Sequence, residues 1–193
     1  MTDLKGARVG IAMTGSFCTF QSAFSAFEAL KAAGADLYPI QSENAYCLDT
    51  RFGAAQQMRQ RLEDIAGREI WHTLQQVEPI GPKKLLDLLV IAPCTGNTLA
   101  KLANAIADTS VTMAAKSHLR NSRPVLIGIS SNDGLARSAR NLGALLAEKH
   151  FFFVPFRQDD CNGKPFSLVA DLTLLPEAAS LALEGKQMQP ILR

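Results

Sequence analysis

Short runs of consecutive apolar residues alternate along this chain with longer stretches whose apolar positions recur every three or four residues. Residues 8–13 form the first run and read as a buried strand. Thr14, Gly15 and Ser16 make a turn, and a helix follows to about Ala33 with Phe20, Phe24, Phe27 and Leu30 on one face. Gly34 is a suitable stop. Residues 35–41 predict a second strand, which Pro39 places at an edge or a bulge, and Ser42, Glu43 and Asn44 follow it. A helix is expected over 52–66 on the spacing of Met58, Leu62 and Ile65, ended by Gly67. Residues 69–72 could form a short strand, and 78–82, with two prolines and a glycine, form a rigid loop.

The central run, Leu88 to Ala92, breaks at Pro93. Cys94 to Thr98 are small and mostly polar, and a helix begins with Leu99, Leu102, Ala103 and Ile106 on one face and extends toward Asp108. Residues 111–120 form another helix or helical turn. A clean strand covers 125–129 and ends in the polar turn 130–134. A helix to about Lys149 presents Leu135, Ala139, Leu142 and Leu146 on one face. Residues 151–155 are a short aromatic strand, 157–166 a polar loop, and 176–184 a last helix ended by Gly185. The tail packs on the body or on a neighbouring protomer.

Uninterrupted apolar strands alternating with helices predict an α/β fold with a mostly parallel sheet, as one domain over 1–193. Ligands of such sheets bind beyond the carboxyl ends of the strands. Three of those ends carry small polar turns (14–17, 93–98 and 130–134), and a fourth carries Ser42, Glu43 and Asn44. The turn before a helix presents free N–H groups and the positive end of the helix dipole, which favour an anion.

Composition narrows the partners. A formal net charge of +2 argues against nucleic acid or a membrane surface as a target. No apolar stretch is long enough to span a bilayer, and no secretory pattern opens the chain, so a cytoplasmic location is expected. The four cysteines (Cys18, Cys47, Cys94 and Cys161) include no C-x-x-C pair, so neither a metal site nor a disulfide framework is expected. Neither G-x-G-x-x-G nor a phosphate-loop motif occurs. What remains is a cradle for a single phosphomonoester, from Gly15, Ser16, Thr95, Asn97 and Thr98, with Gly15 and Gly96 permitting close backbone approach, or turn glycines and helix caps alone.

The segments TGSF at 14–17 and APCTGNTLAKLANAIAD at 92–108 resemble the FMN-binding flavoprotein family of cysteine decarboxylases and flavin prenyltransferases. The blocks SENAY at 42–46, DTRFG at 49–53, EPIGPKKLLD at 78–87, MAAKSHLRN at 113–121, SNDGL at 131–135 and VPFRQDD at 154–160 are similar to the B subunits of dipicolinate synthases, a branch of that family. The resemblance implies a three-layer flavodoxin-like or Rossmann-like fold, assembly as trimers or larger homo-oligomers, and FMN as cofactor. It carries cofactor roles to Gly15, Ser16, Thr95, Asn97 and Thr98, with Ser42 a further contact and Phe17 against the isoalloxazine. It further implies oxidation of a dihydrodipicolinate-type precursor to pyridine-2,6-dicarboxylate during spore formation, in the mother cell, with a partner A subunit carrying NADP.

The family's Pro and Asn around Met113 are replaced here by Val111 and Ala114, and Gly96 stands where the family has Ala. The first change argues against an FMN-dependent decarboxylase, which stays an alternative, as does a non-catalytic subunit that has lost flavin. For a dianionic substrate the candidates are Met113, Lys116 and Arg120, with His118 and Arg123 beside them and Lys83 and Lys84 in the Pro-Gly loop; each cation also fits a solvated basic face. His72 is the candidate general acid or base, or an ordinary histidine. Cys94 reads as packing, because no base accompanies it in sequence.

Overall fold

The computed structural model describes residues 4–193. The strands are β1 (Arg8–Met13), β2 (Asp36–Gln41), β3 (Leu88–Cys94), β4 (Val125–Ser131), β5 (Phe151–Phe153), β6 (Phe156–Asp160) and β7 (Lys164–Ala170). The helices are α1 (Phe20–Ala32), α2 (Glu43–Cys47), α3 (Ala55–Ala66), α4 (Leu74–Val77), α5 (Gly96–Ala103), α6 (Ser110–Leu119), α7 (Ala139–Ala147) and α8 (Leu175–Leu183). Together the strands make a seven-stranded sheet in which β2, β1, β3, β4 and β5 are parallel neighbours. The expected α/β fold with a mostly parallel sheet is therefore present. Among the described residues no helix is long and apolar enough to cross a membrane.

β3 is buried along its whole length because it has strands on both sides and helices over both faces. Helix α1 packs on α3 and α8, while α6 packs on α4 and α5, and α5 on α7. The sheet thus separates two helical layers, and apolar side chains fill both interfaces. β2 tolerates Pro39 because it is the edge of the main ladder. Among the described residues only a single bridge, from Ile40 to Trp71, lies beyond it, with the Trp71 N–H donating to the Pro39 carbonyl.

Several elements depart from the sequence expectations. The helix after β3 stops at Ala103, so Ile106 is exposed rather than core. α7 begins at Ala139, after a turn, leaving Leu135 exposed. The polar stretch 157–166 is no loop: most of it forms the antiparallel hairpin β6–β7, attached to the end of β4 through Ser130–Val169 and Ser131–Leu168. Its side chains are largely exposed, so it lacks the apolar alternation that marks a strand in a sequence. The tail packs on the body, Phe156 pairing with the backbone of Ile191 and Arg193.

Below the sheet, Asp87 accepts from the Arg8 backbone and guanidinium and from Arg123. His118, 1% exposed, holds its Nε2 3.0 Å from the Pro124 carbonyl. Burial pushes its pKa down to about 4. The unfolded chain takes up a proton near pH 6.5 and the folded chain does not. Stability attributable to His118 is therefore intact above pH 6.5 and lost as the pH falls toward 4, by about 2 kcal/mol between pH 7.5 and 5. Urea midpoints at those two pH values should show this loss in the wild type and a much flatter response in His118→Gln. An unchanged pH response in the variant would show that His118 is not its source.

Candidate functional site

The sheet order places a topological switch between β1 and β3, because the chain leaves β1 for β2 on one side and β3 lies on the other. Both strands end in polar turns, and one residue joins them. The Thr14 hydroxyl donates to the Pro93 carbonyl at 2.7 Å and accepts from the Thr95 N–H at 2.9 Å. The Thr14 N–H also donates to Pro93. Thr14 is 1% exposed, so these bonds lie in a dry setting and fix the two turns relative to each other.

Beyond this junction lies a cleft of about 930 Å³, large enough for a cofactor-sized ligand. Gly15, Ser16, Phe17 and Cys18 line it from the β1 turn, Thr95, Gly96 and Asn97 from the start of α5, and Ser130 to Asp133 from the end of β4. The Ser16 and Ser130 hydroxyls share a hydrogen bond of 2.7 Å. The Thr95 hydroxyl caps α5 by accepting from the Thr98 N–H, and it also donates to the Thr98 hydroxyl. Among the described residues, the N–H groups of Gly15, Phe17 and Cys18, and those of Gly96 and Asn97, have no protein acceptor. Two sets of unpaired backbone donors therefore border one cleft, a donor set that fits a phosphate-bearing ligand such as FMN.

The third turn contributes a fixed anion. Asp133 accepts from the Ser131 hydroxyl at 2.7 Å and the Ser138 hydroxyl at 2.8 Å. These bonds, aided by Arg137, hold its carboxyl below the ordinary aspartate value, so it is charged at neutral pH. A side chain on Gly96 would start 2.7 Å from the Ser131 Oγ, 2.8 Å from Asp133 and 2.9 Å from the Ser138 Oγ. Glycine at 96 is thus explained by the polar cluster pressed against the first turn of α5.

Five of the expected cofactor residues line the cleft: Gly15, Ser16, Phe17, Thr95 and Asn97. Ser42 and Thr98 do not. Ser42 caps α2 by accepting from the Ala45 N–H, and Thr98 is 7% exposed inside the α5 cap. His72 lies past the β2 edge, stacked on Tyr46 at 3.8 Å, and does not line the cleft. The three substrate candidates are also elsewhere. Met113 packs partly buried on the core, Lys116 lines a separate apolar groove between α6 and α7, and Arg120 caps the far end of α6. The cations that do line the cleft are Arg51, Arg137, Arg140 and Lys164. The sequence marks 130–134 as a polar turn, but nothing local shows that 137–140 and the hairpin fold over it. Cys94 is fully buried, and burial pushes its thiol pKa far up, which removes it as a nucleophile.

Because the oxygens around Gly96 are tethered to one another, Gly96→Ala should lower stability by about 1–3 kcal/mol, the usual scale for overpacking. A thermal melt measures this. The double variant Gly96→Ala/Ser131→Gly, which removes one of the crowding hydroxyls, should recover part of the loss; no recovery would separate the strain from this cluster.

Residues 1–164 match the family model named Flavoprotein. The chain is 46% identical over 192 residues to the B subunit of dipicolinate synthase from Bacillus subtilis (strain 168), covering 100% of this chain and 96% of the relative. Its structure is similar to the crystal structure of the dipicolinate synthase B subunit from Bacillus halodurans, with a TM-score of 0.91, 41% identity, and coverage of 99% of this chain and 98% of that one. It shares its fold with the FMN-dependent cysteine decarboxylase SpaF, with a TM-score of 0.70 and 19% identity over 94% of this chain and 99% of that one. With the family model and the near full-length relatives in agreement, this chain belongs to the Flavoprotein family.

Proposed function

We propose that this chain is the flavin-carrying B subunit of a dipicolinate synthase, which oxidises a dihydrodipicolinate-type precursor to pyridine-2,6-dicarboxylate. The observation that carries this reading is the full-length identity to a protein of that name, 46% over 192 residues. The cleft supports it, because its donors suit a flavin phosphate and its cations suit a diacid. The missing G-x-G-x-x-G points to a partner A subunit as the holder of NADP. The reading places the chain in the cytoplasm of the mother cell of a spore-forming bacterium, and as a homo-oligomer of trimers or their multiples.

Making the ring aromatic removes one hydride and one proton. When bound, FMN supplies an acceptor for the two electrons. The residues of this chain bind and orient. Gly15, Phe17 and Cys18 offer backbone N–H groups to the phosphate, and Ser16, with Ser130, adds a hydroxyl. No lysine or arginine lies in the 14–18 turn, so this part of the site is neutral. The start of α5 would hold a less charged part of the cofactor, because the Asp133 carboxylate beside Gly96 repels a dianion. Asn97 supplies amide donors and an acceptor there, and Phe17 offers a ring to the flavin plane. Ser42 and Thr98 keep only the roles carried by family resemblance, and His72 only its candidacy as an acid or base, since none lines the cleft.

Titration with FMN, followed by flavin fluorescence, tests the cofactor half. The wild type should bind, and Ser16→Ala and Asn97→Ala should each weaken binding about tenfold, the value of one hydrogen bond to a charged or buried group. Reconstitution with the A subunit should make dipicolinate formation depend on added FMN. A wild-type chain that leaves flavin fluorescence unchanged, or a reconstituted complex indifferent to FMN, would overturn the proposal.

A further inference from the structure

The cations of the cleft come from other elements than its phosphate donors. Arg137 precedes α7 and Arg140 lies in its first turn, three residues on, so both fall on one side of that turn and line the cleft with Asn141. Lys164 begins β7 and reaches the cleft from the hairpin. Among the described residues four arginines are ion-paired: Arg8 and Arg123 with Asp87, Arg61 with Glu28, Arg68 with Asp36. Arg137 and Arg140 have no ion-pair partner among the described residues. Asp133 accepts from two serine hydroxyls and acts on Arg137 without a direct ion pair, and Asp159, which also lines the cleft, pairs with Lys164 at 2.9 Å, so Lys164 contributes less than the two arginines.

We propose that Arg137, Arg140 and Lys164 form a second anion subsite that grips the two carboxylates of a small, planar diacid. This subsite rests on the proposed function and replaces Met113, Lys116 and Arg120 as the substrate-holding residues. Guanidinium forks match planar carboxylates with two parallel hydrogen bonds, and two adjacent forks suit a ligand with two such groups. Asn132 and Asn141 add amide donors at the same wall, and Leu168 and Val169 give it an apolar side for a ring. The fixed charge of Asp133 stands between this wall and the start of α5. It disfavours one anion spanning both and so keeps the flavin phosphate and the diacid apart.

Because Arg137 and Arg140 come from the start of α7 and the neutral donors from the 14–18 turn, the two subsites rest on different elements and are separable by mutation. Calorimetric titration of the full chain with pyridine-2,6-dicarboxylate, with and without saturating FMN, reads the diacid site directly. Pyridine-2-carboxylate serves as the one-carboxylate control and should bind more weakly. Arg140→Gln should weaken diacid binding about tenfold and Arg137→Gln/Arg140→Gln about a hundredfold, while FMN affinity stays within about twofold. Lys164→Met, on a separate element, should weaken the diacid by a smaller factor and guards against a local fault in α7. Thermal midpoints confirm folding of each variant.

A wild-type chain that binds no diacid in either state would overturn the inference, as would a double variant that binds it like the wild type. Loss of FMN affinity with diacid affinity unchanged would reassign the arginines to the cofactor phosphate and overturn it as well. Diacid binding that survives without FMN, and is lost in the double variant, upholds the subsite even if the chain proves unable to bind flavin.

Discussion

The hydroxyl of Thr14 ties the carboxyl ends of β1 and β3 together at the point where the chain reverses its direction of travel across the sheet. It donates to Pro93 and accepts from Thr95, both at the carboxyl end of β3, in a setting with almost no solvent, so neither bond competes with water. Everything at the site follows from that junction. It fixes where the Gly15–Ser16 turn stands relative to the first N–H groups of α5. It also lets Ser16 reach across to Ser130 at the end of β4. A parallel sheet offers a crevice at its switch point in general; here a buried hydroxyl gives that crevice a definite shape.

Charge then divides the crevice. One side is a turn of neutral backbone donors and hydroxyls, suited to an anion that must be held without a permanent cation. Arg137 and Arg140, which also line the crevice, have no direct ion pair among the described residues. Asp133, held ionised by two serines, is pressed so close to α5 that a side chain at 96 would crowd it. The fully buried Gln41 side chain, with neither polar atom paired, belongs to the same edge of the sheet. Buried polar groups without partners are uncommon in cores and collect near sites that bind something.

Much of this edge is legible in the sequence, because its information is local. A glycine and a serine after an apolar run, or a threonine before an amphipathic segment, state their geometry within five residues. Gly15, Ser16, Phe17, Thr95 and Asn97 carry such local signals and do meet in the cleft. Thr98 misleads because a cap residue looks the same whether its hydroxyl faces a ligand or closes on Thr95. Lys116 and Arg120 mislead for a different reason: α6 runs away from the site edge, so its second half carries cations to the far end of the sheet. Arg140 and Lys164 are invisible in the sequence, since they reach the cleft through a helix start and an exposed hairpin whose pairing with β4 leaves no apolar pattern.

If the cleft is divided in this way, the cofactor phosphate sits on the neutral turn and the cationic wall is left for the substrate. A crystal structure of the chain soaked with FMN tests that division most directly. The phosphate is expected at the N–H groups of Gly15, Phe17 and Cys18, within hydrogen-bonding reach of Ser16, with Arg137 and Arg140 still free of it. A phosphate seated between Arg137 and Arg140 would contradict the division.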